Sequence, residues 1–306
     1  MRAQASSMRE RFPVAALPRG NSIIESLARL TGFRERAARV KPRRPVRGLI
    51  ACDLPRDLVE GLRAAADEAI ARYGLHGFLR QDGRNADDHP SISLTHNPDL
   101  VEAGVENVHQ SSLGSTHLPH TWPWRDAMPR RHEFKHTFVD SYGFRRLTPA
   151  ARTGALGEFL AGCGLSLIKS RIAVLRGEAG ATPFAIGWHR DEPLAESLRI
   201  NIPLRGHPSY RLQIDRRRER PRPDSPTMSD HYLAPGRAYT WNTRLLHRAY
   251  VKAPCATERV HLVLGFAPWF RYDARADAWE PNEFYGRTHP FDILRSGALH
   301  PALRID

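Results

Sequence analysis

His189 and Asp191, within the stretch GWHRD at 187–191, are the side chains whose types and spacing most directly suggest chemistry. On an extended backbone alternate side chains share a face, so the imidazole and the carboxylate point together while Arg190 points away. Such a pair supplies two of the three ligands of a facial non-haem iron site, or else is a surface ion pair. His–x–Asp alone does not decide between them, because the pattern is common. A third ligand must come from another element, and His247, opening the run HRAYV, is the candidate.

The runs that follow strengthen the metal reading. In LRINIPL, Arg199, Asn201 and Pro203 share one face and Ile200, Ile202 and Leu204 the other. In RVHLVLGF, Arg259, His261 and Val263 oppose Val260, Leu262 and Leu264. If these runs enclose one interior, it holds His189, Asp191, His247, Arg199 and Arg259 together. Buried charges need partners or metals, so a polar interior in a strand-rich fold points to a site. Two histidines and a carboxylate leave one side of a metal open. A planar guanidinium such as Arg259 can then fork onto the far carboxylate of a dicarboxylic co-substrate.

The elements that must position these residues can be read from periodicity. Residues 1–47 are expected to be a basic N-terminal arm in which only NSIIESLARLTGF has a helical pattern. Residues 48–164 are expected to be a helical, loop-rich region that shapes the substrate pocket. It has one helix over 56–72, with Pro55 in its first turn. A second is capped by Thr148, carries Pro149 in its first turn and stops at Gly164. Residues 165–270 change to seven short alternating runs: LIKSRIAVLRG, FAIGWHRD, LRINIPL, YRLQID, RAYTWN, LHRAYV and RVHLVLGF. That series predicts a β-sandwich or barrel with the helices packed outside. DRRRERPRPDSPTMSD is read as a mobile surface insertion, and 271–306 as a C-terminal extension.

Composition bounds the partners. The chain has 306 residues, 46 of them Lys or Arg, and a formal charge of +13. The basic residues are spread along the chain rather than clustered, which favours a carboxylate substrate over nucleic acid. Cys52, Cys163 and Cys255 are far apart and in no metal spacing, as expected of free thiols in a reducing, cytoplasmic setting. No run approaches a membrane span, and the basic start lacks an apolar core of signal length.

Together, GWHRDEPLAESLRINIPL, TWNTRLLHRAYV and RVHLVLGF resemble the aspartyl/asparaginyl β-hydroxylase-like branch of the Fe(II)- and 2-oxoglutarate-dependent dioxygenases, to which bacterial cis-proline hydroxylases belong. The resemblance runs over about residues 170–269. It implies a mainly β fold with flanking helices, built on a double-stranded β-helix (jelly-roll, cupin-like) core. It also implies Fe(II) held by His189, Asp191 and His247, and 2-oxoglutarate bound by Arg259. Arg199 would lie near co-substrate or substrate, and Asn201 stands where some relatives carry a histidine. The retained carboxylate favours hydroxylation over halogenation, on a C–H bond of an amino acid, an amino-acid side chain or a related carboxylate.

Other features read more plainly. His261 is expected to be a core or supporting histidine rather than a ligand. The pairs His117/His120 and His132/His136 lack the surroundings of a metal site, Trp122 and Trp124 suggest a packed loop or lid, with Trp188 beside the ligands, and Arg216–Arg218 a solvated run. Arg199, without an acidic partner in its own strand, is expected to meet a substrate carboxylate or else a carboxylate such as Asp140. The competing classes are a cupin-like metal enzyme that uses no 2-oxoglutarate and a basic nucleic-acid-binding protein.

Overall fold

Two antiparallel sheets account for most of the alternating runs after residue 164. The computed structural model describes residues 10–18, 22–44, 48–79, 85–98, 141–176, 188–216 and 226–305. Strand β1 (Phe12–Pro13) and helices α1 (Ile23–Thr31) and α2 (Phe33–Arg39) precede β2 (Leu49–Asp53) and α3 (Arg56–Tyr73). Then come β3 (His76–Leu79), β4 (Asn85–Ser93), β5 (Thr95–His96), β6 (Arg146–Leu147) and α4 (Gly154–Ala161). The strand-rich part holds β7 (Ser166–Leu175), β8 (Leu198–Arg205), β9 (Tyr210–Asp215), β10 (Met228–His231), β11 (Arg237–Trp241), β12 (Leu246–Val251) and β13 (Arg259–Ala267). The hairpin β14 (Phe270–Asp273) and β15 (Ala278–Pro281) and helix α5 (Pro290–Ser296) follow.

The large sheet runs β2-β11-β8-β13-β7-β4-β3 and the small one β10-β9-β12. A single antiparallel bridge between His189 and His247 adds the 188–191 segment to the edge of the small sheet. Count that segment as the second of eight from β7 to β13. The first, third, sixth and eighth then lie in the large sheet, and the second, fourth, fifth and seventh in the small one. This alternation is the double-stranded β-helix, and the expected jelly roll is present.

The outer face of the large sheet is apolar. Ile172, Ile200, Ile202, Leu262 and Leu264 are almost fully buried against Leu62, Ala65, Ala66 and Ala69 of α3 and Leu156, Phe159 and Leu160 of α4. Each such aliphatic side chain contributes about 1.5–3 kcal/mol on burial, so this layer anchors the sheet whose other face lines the site. Close packing has one strict requirement on that sheet. A Cβ at Gly265 would meet the Ile168 carbonyl oxygen at 2.4 Å, so no larger residue fits.

Several expectations change. The 10–39 segment is not a free arm. Ser22 caps α1 by accepting from the Glu25 amide, Gly32 ends it at φ 64°, and Ile23, Leu27 and Phe33 join the main core. Phe33 meets Trp269 edge-on at 5.4 Å, and β1 pairs with β15, so the chain's start and its last third are packed together. Pro55 stands at the cap of α3, before its first turn. The second helix begins later than expected, because residues 150–152 form a separate 3₁₀ turn; α4 starts after Thr153 and is capped by Gly162. The insertion also contributes structure, since β10 pairs with β9. The run FAIGWHRD lies outside the described residues up to 187. Its visible end is a loop with one bridge, not a regular strand. Cys52, Cys163 and Cys255 are free, and no described helix is long and apolar enough to cross a membrane.

Arg145 ties this framework to the C-terminal hairpin. Its side chain is fully buried, and its guanidinium donates to both carboxylate oxygens of Asp277, at 3.0 and 3.2 Å. Burial opposes ionisation of Asp277, but its bonds from Arg145 and Tyr272 prevail and hold its pKa below the ordinary value. Asp277→Asn keeps the shape and tolerates the φ of 42°. It should lower stability by about 1–3 kcal/mol in urea denaturation at pH 7. A depressed carboxyl pKa stabilises above its unfolded value, about 3.9. Wild type should therefore hold its advantage above roughly pH 5 and lose it as pH falls through the folded pKa.

Candidate functional site

Three ligand-type side chains are brought together by two chain segments pinned to each other. His189 and His247 exchange reciprocal backbone hydrogen bonds of 3.1 Å. Two residues on, the Asp191 amide donates to the Thr243 carbonyl at 3.0 Å, and the Thr243 hydroxyl donates back to the Glu192 carbonyl at 2.8 Å. The 188–192 loop thus lies along the β11–β12 turn without a full ladder. One ligand atom from each of His189, Asp191 and His247 lies within 4.8 Å of the others. Asp191 Oδ2 is 3.4 Å from His247 Nε2, and Asp191 Oδ1 is 4.0 Å from His189 Nε2.

The donor set fits a divalent metal. His247 Nδ1 is 2.9 Å from the Leu245 carbonyl oxygen, which can only accept. Nδ1 therefore carries the proton and Nε2 presents its lone pair beside Asp191. Burial would raise the Asp191 pKa, but the Arg199 guanidinium holds it well below the usual carboxylate range. Two imidazoles and an ionised carboxylate are the donors of the facial triad.

A charge network fixes the carboxylates. The Arg199 guanidinium donates to Asp191 Oδ2 and to Glu192 Oε2, both at 2.8 Å. Glu192 also accepts from Ser141 Oγ at 2.6 Å and faces Lys169 Nζ at 3.5 Å. Burial pushes Glu192 up, but Arg199 and Lys169 bring its pKa down to about 2. On the other side of the loop Trp188 lies under the Arg248 guanidinium, 4.8 Å from ring centroid to Cζ. That contact packs the ligand loop from outside.

The triad opens into a cavity of about 290 Å³ between the two sheets. Strand alternation supplies its wall: Arg259, His261 and Val263 from β13, Arg171 and Ala173 from β7, Arg199 and Asn201 from β8, with Leu212 and Ala249 from the small sheet. A β-bulge in β7, with Lys169 at φ 40°, locally breaks the register beside the triad. Among the described residues neither Arg171 nor Arg259 has an ion-pair partner, and Arg259 Nε is buried without a hydrogen bond. Burial and the neighbouring Arg199 lower the Arg171 pKa to about 10. Burial, with Arg171 adding to it, lowers that of Arg259 to about 10 as well. Both remain cationic at neutral pH. Burial and the nearby Arg259 push His261 well below its ordinary pKa, so it is neutral.

His189, Asp191, His247, Arg199 and Arg259 therefore all line one cavity. The expectation for Arg199 needs correcting, because its carboxylates come from Asp191 and Glu192 of its own chain. Asp140 and the residues 117, 120, 122, 124, 132 and 136 lie outside the described residues. Trp188 packs on Arg248 and does not line the cavity. Glu192, Lys169 and Arg171 were not singled out from the sequence. Lys169 and Arg171 had a legible signal, two cations flanking Ser170 at alternate positions in the otherwise apolar LIKSRIAVL.

No family model matches the chain, and no curated protein matches it by sequence. Among solved structures it is similar to the non-heme alpha ketoglutarate dependent epimerase SnoN from nogalamycin biosynthesis. That match has 15% identity and a TM-score of 0.39, and covers 78% of this chain and 83% of that one. A Pseudomonas putida prolyl-4-hydroxylase matches with 15% identity and a TM-score of 0.33, over 78% of this chain and 98% of that one. EctD from S. alaskensis, solved with 2-oxoglutarate and 5-hydroxyectoine, matches with 13% identity and a TM-score of 0.35, over 100% and 97%. The strand order and the triad define the class here: a jelly roll with a candidate His–Asp–His metal centre at one end of its cavity.

Arg199 is the residue on which the metal-free site depends. Arg199→Met leaves two largely shielded carboxylates, Asp191 and Glu192, without their shared cation. Removing one partner from such a group costs about 3–5 kcal/mol. The expected outcome is a loss of that size in the denaturant-unfolding free energy of the metal-free protein.

Proposed function

We propose that this protein is an Fe(II)- and 2-oxoglutarate-dependent oxygenase that hydroxylates a C–H bond of an amino acid, an amino-acid side chain or a related small carboxylate. One observation carries the reading: a His189–Asp191–His247 donor set opens into the same cavity as Arg259, a half-buried cation without an ion-pair partner among the described residues, its Nε buried and unbonded. A metal centre of this donor type leaves positions for further ligands. A 2-oxo dicarboxylate suits the whole arrangement, with one end for the metal and the other for a guanidinium fork.

Each residue then has a task. His189, Asp191 and His247 would hold the iron, with His247 kept in the ligating tautomer by the Leu245 carbonyl. Arg259 binds the far carboxylate of the co-substrate, and the neutral His261 beside it offers a hydrogen bond to the same ligand. Arg199 holds Asp191 ionised and aimed. Leu212, Ala249, Val263 and Trp241 give the cavity apolar walls that exclude water from the reacting atoms. When bound, iron and 2-oxoglutarate supply the oxidative chemistry, with dioxygen as oxidant and succinate and CO₂ as co-products.

The test is anoxic titration of the protein with Fe(II) and 2-oxoglutarate, followed by a substrate screen for succinate release in air. A visible charge-transfer band that needs both components, and that disappears in His189→Ala and His247→Ala, is expected. Metal binding without 2-oxoglutarate binding would instead favour the cupin-like enzyme. Arg259→Lys should weaken 2-oxoglutarate binding by about 2–5 kcal/mol, because an ammonium cannot reproduce the planar fork. Unchanged co-substrate affinity in that variant would move the role to another arginine of the cavity.

A further inference from the structure

We propose that Arg171 is the recognition residue for a carboxylate on the primary substrate, at a subsite distinct from that of Arg259. The inference rests on the reading above and names the substrate's handle. It starts from the charges that face the cavity. The lining cations are Lys169, Arg171, Arg199, Arg211 and Arg259, and the carboxylates among the described lining and network residues are Asp191, Glu192 and, paired with Arg211 at 3.1 Å, Asp230. Arg199 spans Asp191 and Glu192 and Lys169 faces Glu192, so the acidic side chains are already matched. Arg171 feels Asp191 and Glu192 only from beyond ion-pair distance, so among the described residues Arg171 and Arg259 are the two lining cations without a direct carboxylate partner.

A 2-oxo dicarboxylate carries two negative charges, and a divalent metal brings two positive ones. Loading both leaves the excess of two positive charges unchanged. One end of the dicarboxylate faces the metal and the other takes Arg259. Arg171 then still has no direct ion-pair partner among the described residues, in a cavity where an unpaired cation is costly. A substrate anion removes that cost.

Position separates the two arginines. In the sheet Arg259 stands opposite Leu175, whereas Arg171 stands opposite Val263. The two are four residues apart along the strands, roughly 13 Å at the strand rise. Arg171 is at the triad end: Val263 also faces Asn201, and the next inward position of β13, Gly265, faces Arg199. A carboxylate on Arg171 would hold the rest of a small substrate beside the metal centre. Ser91, opposite Ala173 in the register, has a buried hydroxyl without a partner on the same wall, and can donate to the same anion.

The experiment uses the full-length protein loaded with Mn(II), which supports binding without turnover, with and without 2-oxoglutarate. A panel of amino acids and aliphatic monocarboxylic acids is screened by thermal shift against the matching primary amides, and binders are measured by calorimetry. Wild type is expected to bind at least one acid roughly ten- to a hundredfold more tightly than its amide, the range for a hydrogen bond to a charged group. Arg171→Gln should abolish that preference and keep its 2-oxoglutarate affinity, while Arg259→Gln should do the reverse. Arg171→Lys, which keeps the charge, should retain part of the preference and guards against a misfolded Gln variant. Loss of 2-oxoglutarate binding in Arg171→Gln comparable to that in Arg259→Gln would overturn the proposal, making Arg171 part of the co-substrate seat. So would equal binding of acids and amides, or no acid-specific shift in the panel. If wild type fails to bind 2-oxoglutarate, the oxygenase reading falls, and the acid-against-amide comparison without 2-oxoglutarate still decides the role of Arg171.

Discussion

The fork of Arg199 onto Asp191 and Glu192 is the interaction on which the site depends. Two adjacent, largely shielded carboxylates repel each other and lose hydration, so each needs a cation close by. A single guanidinium meets both, with one nitrogen on each at 2.8 Å. The alternative, a protonated acid at position 191, would remove the anionic ligand. Because Arg199 sits in β8, between β11 and β13 in the large sheet, the loop inherits the rigidity of that sheet. The single His189–His247 bridge and the Thr243 contacts then supply what a regular strand would have given.

The cavity follows from one register. β13 is flanked by β7 and β8, so inward positions from three neighbouring strands lie side by side: Arg171 and Asn201 on either side of Val263, Ala173 and Pro203 on either side of His261. Polar groups sit on that face because the opposite face is filled by aliphatic residues packed under α3 and α4. A one-residue slip would exchange the two faces and bury the arginines among leucines. The contact that leaves no room for a Cβ at Gly265 lies beside the bulge at Lys169, where Ser170 Oγ bonds both the amide and the carbonyl of Gly265. This stitches the irregularity in place near the candidate metal centre.

Much of this was legible before any coordinates. Period-two alternation in LRINIPL, YRLQID and RVHLVLGF is a local property, and those runs are strands with the expected faces. The distant pairing of His189 with His247 was readable only by combining residue type with face. The partners of Arg199 were missed for a specific reason. Glu192 follows Asp191 directly, and strict alternation would aim it away from the site. It reaches Arg199 because the segment is a loop, free of that rule. The packing of residues 22–39 was hidden by composition: α2, FRERAAR, looks like a solvated basic stretch, yet Phe33 is one of the most deeply buried side chains. Its aromatic partners Trp269 and Phe270 lie more than two hundred residues away in sequence, where no local pattern reaches.

The two arginines without an ion-pair partner among the described residues carry a stability cost that the proposed function would account for. Burial lowers the basicity of both, Arg199 adds to the effect on Arg171 and Arg171 to that on Arg259, and Arg259 holds a buried nitrogen with no hydrogen bond. Replacement by aliphatic residues of similar volume would relieve that strain, as isosteres of buried charges often do. A fold selected for stability alone would not keep two like charges on one cavity wall. They sit on strands braced from behind by α3 and α4, so the scaffold carries a cost that the proposed anions would offset. The same physics orders the two halves of the site. The acidic half near Arg199 is internally neutralised and stands ready for a cation, while the half along β13 and β7 is left positive and stands ready for anions.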